Sequence, residues 1–352
     1  MALKIGIVGL PNTGKSTLFQ ALTQQPVDRA NYPFCTIEPN LGIIAVPDKR
    51  LNSLAQIFPR DKKIPTTIEF VDIAGLISGA SQGEGLGNKF LSHIREVDAV
   101  LYVLRGFERS DIINTRANVD PWAEKEILDT ELSLKDLETI EKRLAALEKD
   151  IKSGQKEAQR EVIVLKRFSE ILEKGQMLAD LTIRPEEKEF LDQYRFLTSK
   201  PRLYLINARQ SEVTSEKVAP FQNSPYLIID ILTELEVAGL SEEERQELDL
   251  GSDQLDQLIQ RSYQLLNLIT FFTIGRDEVR AWTLRRGQTA PEAGGVVHTD
   301  FQKNFIKAEV INWQELVEAG SFSVARQRGL VRTEGKEYQV QDGDVIEIKA
   351  GI

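Results

Sequence analysis

The sequence predicts an α/β fold: a P-loop NTPase (G-domain) mixed sheet with helices on both faces, interrupted by an α-helical coiled-coil insertion and followed by a smaller, strand-rich C-terminal domain. Three observations predict it. A glycine-rich anion-binding motif stands between a strand and a helix near the N-terminus. A long stretch of 3–4 apolar spacing lies mid-chain. Beyond about residue 274 the pattern changes to short alternating strands and turns.

Residues 3–8, Leu-Lys-Ile-Gly-Ile-Val, form a short apolar run that reads as a buried strand. Gly9-Leu-Pro-Asn-Thr-Gly-Lys-Ser16 follows at once, and an apolar pattern of helical period begins at Thr17. This is G-x-x-x-x-G-K-[ST] in its confirming context. Glycines let the backbone wrap phosphates, and loop N–H groups at a helix N-terminus make an anion nest. Asn12, Thr13, Gly14, Lys15, Ser16 and Thr17 are therefore the phosphate-side candidates. Lys15 is the catalytic candidate that reaches the β- and γ-phosphates, and the Ser16 hydroxyl is a Mg²⁺ ligand candidate.

A second predicted strand, 68–72, ends in Asp72 and opens Asp72-Ile-Ala-Gly75, a D-x-x-G. Asp72 is expected to hold Mg²⁺ and the Gly75 N–H to meet the γ-phosphate. Five glycines among residues 75–87 suit a segment ordered by that phosphate. Between the two motifs, Thr36 is the candidate third Mg²⁺ ligand. Two such switch elements favour a switch-type NTPase over a metabolic kinase, for which the sequence offers no second substrate pocket.

The stretch 129–200 carries the helical insertion. Leu137, Ile140, Leu144, Leu147 and Ile151 alternate spacings of three and four, Ser153-Gly154 breaks the pattern, and Val162, Leu165, Phe168 and Leu172 resume it. Two antiparallel helices are expected. The predicted organisation is thus 1–128 and 201–273 as two halves of the nucleotide-binding domain, 129–200 as insertion, and 274–352 as C-terminal domain. Within the last, Asp342-Gly343 between alternating strands predicts a hairpin.

The P-loop segment, Asn31-Tyr-Pro-Phe-Cys-Thr-Ile-Glu-Pro-Asn40, Phe70-Val-Asp-Ile-Ala-Gly-Leu76 and Gly83-Glu-Gly-Leu-Gly-Asn-Lys-Phe90 resemble the YchF (Obg-like ATPase) family of translation-factor-class P-loop proteins, and the likeness continues into Ala281-Trp-Thr and Asp342-Gly-Asp344. It covers nearly the whole chain. The resemblance implies a C-terminal β-grasp (TGS, ubiquitin-like) domain, slow nucleotide hydrolysis with ATP preferred and GTP weaker, and binding to the ribosome or ribosomal RNA. It also implies a hydrophobic residue where many GTPases place the water-orienting Gln. Leu76 stands there and can neither donate nor accept a hydrogen bond, so catalysis would rest on Lys15, Mg²⁺ and loop amides. Relatives often carry a His where this chain has Asn114, which cannot serve as a general base. His93 falls in a helical apolar pattern and reads as structural; His298 lies in the C-terminal domain. Asn12 stands where related NTPases help hold a K⁺ ion; an equal alternative is that it only stabilises the turn.

Base recognition falls to Asn207-Ala208-Arg209-Gln210 after a strand. The guanine signature N-K-x-D ends in a carboxylate, which is missing here. A Gln210 amide both donates and accepts and could pair with adenine; alternatively it points to solvent and only Asn207 binds. Asp230-Ile-Leu232 replaces the next base-contacting signal. Hydrolysis incidental to nucleotide-gated binding, and an Obg-type GTPase, are the other readings.

The balance of 44 Lys and Arg against 54 Asp and Glu gives −10, which argues against a general DNA or membrane binder. No apolar run reaches the ~18 residues of a membrane span, and no signal peptide is visible. A cytoplasmic location is expected. In the C-terminal domain Arg280, Arg285 and Arg286 are candidates for facing RNA, beside the alternative of a protein-interaction module. The single cysteine, Cys35, fits a reducing compartment and adjoins Thr36, so it is also a redox candidate.

Overall fold

A computed structural model describes residues 3–24, 40–73, 93–108, 119–240, 244 and 253–351. Two six-stranded sheets organise it. The first has the order β2–β4–β1–β5–β6–β7, formed by β1 (Lys4–Val8), β2 (Leu41–Ala45), β4 (Thr67–Asp72), β5 (Ala99–Arg105), β6 (Arg202–Asn207) and β7 (Tyr226–Ile229). β2 runs antiparallel to β4 and the other pairs are parallel, so the sheet is mixed, as expected. All seven residues of β5 are buried, because parallel strands covered on both faces have no solvent side.

Both faces carry helices. Ile5, Ile7, Leu101, Val103 and Leu205 pack with Leu18 and Leu22 of α1 (Lys15–Thr23). On the opposite face Val100, Tyr102, Leu104 and Ile206 meet Leu128 and Leu132 of the long helix α3 (Pro121–Lys152). The period-two alternation of the strands makes both contacts possible at once.

α3 starts at the Asp120 N-cap and a Pro at its first turn, the preferred opening chemistry. It therefore begins eight residues before the predicted insertion boundary at 129, which falls inside one continuous helix. Its first half belongs to the nucleotide-binding core and its second half to the arm. There Ile140 and Leu147 are buried against Val164, Leu165, Phe168 and Leu172 of α4 (Lys156–Glu173), with Leu137, Leu144, Ile151 and Val162 half-buried around them. The helices turn back at Gly154, whose φ of +79° favours glycine. A further helix (Pro185–Tyr194) adds Phe190, and Phe196 follows, so the arm is more than the expected helix pair.

The second sheet has the order β11–β10–β12–β8–β9–β3, with β11 at Arg332–Glu334 and β3 at Lys62–Ile64. β8 (Leu268–Ile274) and β9 (Glu278–Arg285) form a hairpin, and β12 (Asp344–Ala350) lies antiparallel to β10 (Phe305–Asn312) and parallel to β8. With the helix Ala290–Val297 this is the β-grasp arrangement. Two expectations are corrected here. β8 crosses the predicted boundary at 273/274, so the C-terminal unit starts by Leu268; its apolar run suits either sheet, and only pairing decides. The 337–348 stretch is not a hairpin, since residues 337–341 contribute only the bridge Thr289↔Gln339.

The edge strand of this sheet, β3 (Lys62–Ile64), comes from the N-terminal half and pairs parallel with β9. The preceding helix α2 (Lys49–Ile57) buries Leu51 and Leu54 among Phe272, Val279 and Ile311. Residues 40–72 thus leave the first sheet, enter the second, and return. No described helix is long and apolar enough to cross a membrane.

Candidate nucleotide site

β1 ends at Val8 and α1 begins at Lys15, so the loop between them is short and tightly held. A Cβ at Gly9 would lie 2.4 Å from the Val103 carbonyl oxygen. Asn12 has φ of +63°, a left-handed conformation that Asn tolerates, in keeping with its turn-stabilising reading. The buried Thr13 hydroxyl donates to the Leu10 carbonyl (3.1 Å). Gly14 has φ of +103°, and a Cβ there would approach Asn207 Nδ2 to 2.6 Å.

Lys15 is 8% exposed, and its Nζ donates to the Leu10 carbonyl (2.9 Å). Burial lowers its pKa, while the Asp72 and Glu124 carboxylates raise it. Glu124, on the first turn of α3, also accepts from the Arg105 backbone N–H (2.8 Å), so the root of the arm adjoins the loop. The Ser16 hydroxyl donates to Asp72 Oδ2 at 3.4 Å. Burial pushes the Asp72 carboxyl up, against Lys15 and the Ser16 hydrogen bond, which pull it down. An alcohol and a carboxylate converging beside a buried ammonium form a hard-oxygen donor set that fits Mg²⁺. Among the described residues no group of three or more His, Cys, Asp or Glu side chains forms a further candidate metal site.

Thr36, Cys35, Gly75, Leu76 and Asn114 lie outside the described residues. His93 is exposed instead of being packed in an apolar face.

Next to the loop is a cavity of about 620 Å³ whose walls include Asn12, Gly14, Thr17, Asn207 and Ala208. Asn207 is 8% exposed and spends its amide on structure: Nδ2 donates to the Thr13 carbonyl (2.9 Å), and Oδ1 accepts from the Ile231 N–H (3.2 Å). It staples the loop to the turn after β7. Gln210 is exposed and is not part of the cavity wall; it opens the short helical turn Gln210–Glu212. This placement accords with the second of its two readings, a side chain in solvent.

Arg209, Glu212, Asp230 and Phe107 occupy the wall instead. Arg209 Nε pairs with Asp230 Oδ2 (3.1 Å), and Asp230 also caps the helix Ile231–Ala238 by accepting from Thr233. Sequence reasoning gave Arg209 no role of its own and passed over Phe107. The available signal was position: both follow the C-terminal ends of parallel strands, where open α/β sheets bind ligands.

Residues 4–166 match the family model described as a 50S ribosome-binding GTPase, and residues 268–351 match that of the YchF-GTPase C-terminal domain, described as a protein of unknown function. The chain is 45% identical over 366 residues to the ribosome-binding ATPase YchF of Bacillus subtilis, covering all of both chains. It is 44% identical over 371 residues to its counterpart in Haemophilus influenzae, again over the full length of both. The solved structure of the Schizosaccharomyces pombe YchF GTPase superposes with a TM-score of 0.85 at 35% identity, covering 99% of this chain and 97% of that one.

Proposed function

The chain belongs to the YchF family, and from that premise we propose that it is a Mg²⁺-dependent ATPase with slow intrinsic turnover whose nucleotide state governs binding to the ribosome. The observation that carries this reading is the convergence of Ser16 and Asp72 beside the buried Lys15. Ser16 and Asp72, with Thr36, would hold Mg²⁺, which when bound neutralises charge on the β- and γ-phosphate oxygens. The Lys15 ammonium, resting on the Leu10 carbonyl, is free to transfer to anionic oxygens at little cost in position. Loop N–H groups and the α1 N-terminus complete the phosphate cradle.

Slow turnover is supported by Leu76, which leaves the position after D-x-x-G without a group to orient water. A preference for ATP over GTP is supported by the absence of a carboxylate at Gln210 and by the names of the relatives.

One experiment tests the reading: ATP and GTP binding and turnover, in K⁺ and in Na⁺ buffers, with and without ribosomes. Tighter ATP than GTP binding, slow basal turnover and nucleotide-dependent ribosome sedimentation are expected. Tighter GTP binding overturns the base assignment, and nucleotide-independent sedimentation overturns the switch. Stimulation by K⁺ over Na⁺ would assign Asn12 to a cation site; equal rates leave it as a turn residue.

A further inference from the structure

Pairing of β3 with β9 assembles a basic edge that neither segment holds alone. Lys62 lies opposite Glu278 and Ile64 opposite Arg280. The Lys62 N–H donates to the Asp277 carbonyl (3.2 Å), and Arg60 Nε donates to the Gly275 carbonyl (3.1 Å). Arg60, Lys62 and Lys63 from the N-terminal half therefore stand beside Arg276 and Arg280 from the β8–β9 turn. Arg60, Lys62, Lys63 and Arg276 are exposed, and among the described residues no ion pair joins them to a carboxylate. Arg280 stacks on Trp282 at 4.1 Å and reaches Glu278 at 3.9 Å. Asp61, Asp277 and Glu278 are the nearby acids, so five cations face three anions in a chain of net charge −10.

A sheet edge of this kind has a plain role, since lysines on an edge strand discourage edge-to-edge aggregation. That role accounts for Lys62 and Lys63. It does not account for Arg60 and Arg276, which lie outside the strand, nor for an arginine held over an indole. Exposed cations with no carboxylate partner among the described residues, Lys63 resting only on Asn52 Oδ1 (3.1 Å), fit phosphates spaced along a flexible strand, and an Arg–Trp stack fits a nucleobase beside them.

We propose that the β3 edge, with Arg60, Lys62, Lys63, Arg276 and Arg280, is a docking surface for the sugar–phosphate backbone of RNA. This rests on the ribosome-binding reading above and names the contact.

The test compares the full-length chain with the variant Arg60→Gln/Lys62→Gln/Lys63→Gln/Arg276→Gln and the arm-tip control Lys149→Gln/Lys152→Gln/Lys156→Gln. Each is titrated with oligouridine at several salt concentrations and sedimented with ribosomes. In the edge variant RNA affinity should fall at least roughly tenfold, and the slope of log K against log salt should become shallower by roughly 3. Melting temperature and basal ATP turnover should stay at the level of the unmodified chain, and the arm-tip control should bind normally. If the quadruple variant does not fold, the pairs Lys62→Gln/Lys63→Gln and Arg60→Gln/Arg276→Gln should each make the slope shallower by about 1.4. Unchanged RNA binding by the edge variant overturns the proposal, as does an unmodified chain that ignores oligouridine. Aggregation of the variant with RNA binding retained leaves edge protection as the role and also overturns it. Loss of oligouridine binding without any ribosome sedimentation by the unmodified chain upholds the edge and sinks the ribosome reading.

Discussion

At the residue scale the nucleotide site holds a charge where burial disfavours it. Burial lowers the Lys15 pKa, the Asp72 and Glu124 carboxylates raise it, and a bound phosphate would raise it further. Lys15→Ala is expected to lower ATP turnover by at least about 100-fold, since preorganised charge stabilisation of this kind carries that order of effect. Single-turnover assays check this, and the melting temperature should fall little. Gly14 is constrained in a different way: its positive φ and the 2.6 Å approach of Asn207 Nδ2 leave no room for a methyl group. Gly14→Ala should destabilise the fold by about 1–3 kcal/mol and weaken ATP binding, read by thermal melts with and without nucleotide. A neutral substitution would remove the staple from the account of the site.

At the element scale the arm is tied back to the chain by one carboxylate. Asp136 of α3 is fully buried and accepts from the Leu197 N–H (3.1 Å), the Thr198 N–H (2.8 Å) and the Thr198 hydroxyl (2.7 Å). Burial outweighs these bonds and raises its pKa to about 6. A folded pKa above the unfolded value means that ionisation favours the unfolded chain. The group's contribution to stability is therefore greatest below about pH 4 and declines as pH rises to about 6, by roughly 3 kcal/mol. Urea unfolding across that window should show the decline, and Asp136→Asn should abolish it. The Asn variant should also be less stable by about 1–3 kcal/mol, because its NH₂ group would face one of three donors. The seam of this arm was readable from its 3–4 spacing, as Ile140, Leu147, Leu165 and Phe168 all lie inside it. Where the arm departs from the core was not readable, because α3 keeps one helical period while its partner changes from sheet to helix.

At the scale of the whole molecule, residues 40–72 bind the two sheets into one structure. The excursion is closed at its base by the Asp72 N–H on the Asn40 carbonyl (2.9 Å). Its far end is fixed by Leu51 and Leu54, and by Arg50, which pairs with Asp48 (2.8 Å) and with Asp342 (3.0 Å). Leu54→Ala should cost about 2–5 kcal/mol and loosen the C-terminal unit, into which α2 packs. Fluorescence of Trp282 and Trp313 during urea unfolding reads that unit directly. Residues 268–351 alone lack β3 and α2 and are expected to unfold without a sharp transition.

The sequence by itself determined the parts whose chemistry is local. A phosphate loop needs glycines at fixed offsets, a lysine and a hydroxyl in consecutive positions, and a strand and helix on either side; all are contiguous in residues 3–22. Asp72 was legible for the same reason, as the end of a strand that opens a D-x-x-G. Tertiary structure decided what depends on which segments become neighbours. It showed Asn207, in the cavity wall, to be also a staple between Thr13 and Ile231, and it put Arg209 and Asp230 into that wall and Gln210 outside it. It also moved β3 into a sheet that begins some 200 residues later. Pairing partners and cavity walls are set by packing between distant segments, and a periodic pattern records only that a face is buried, not what buries it.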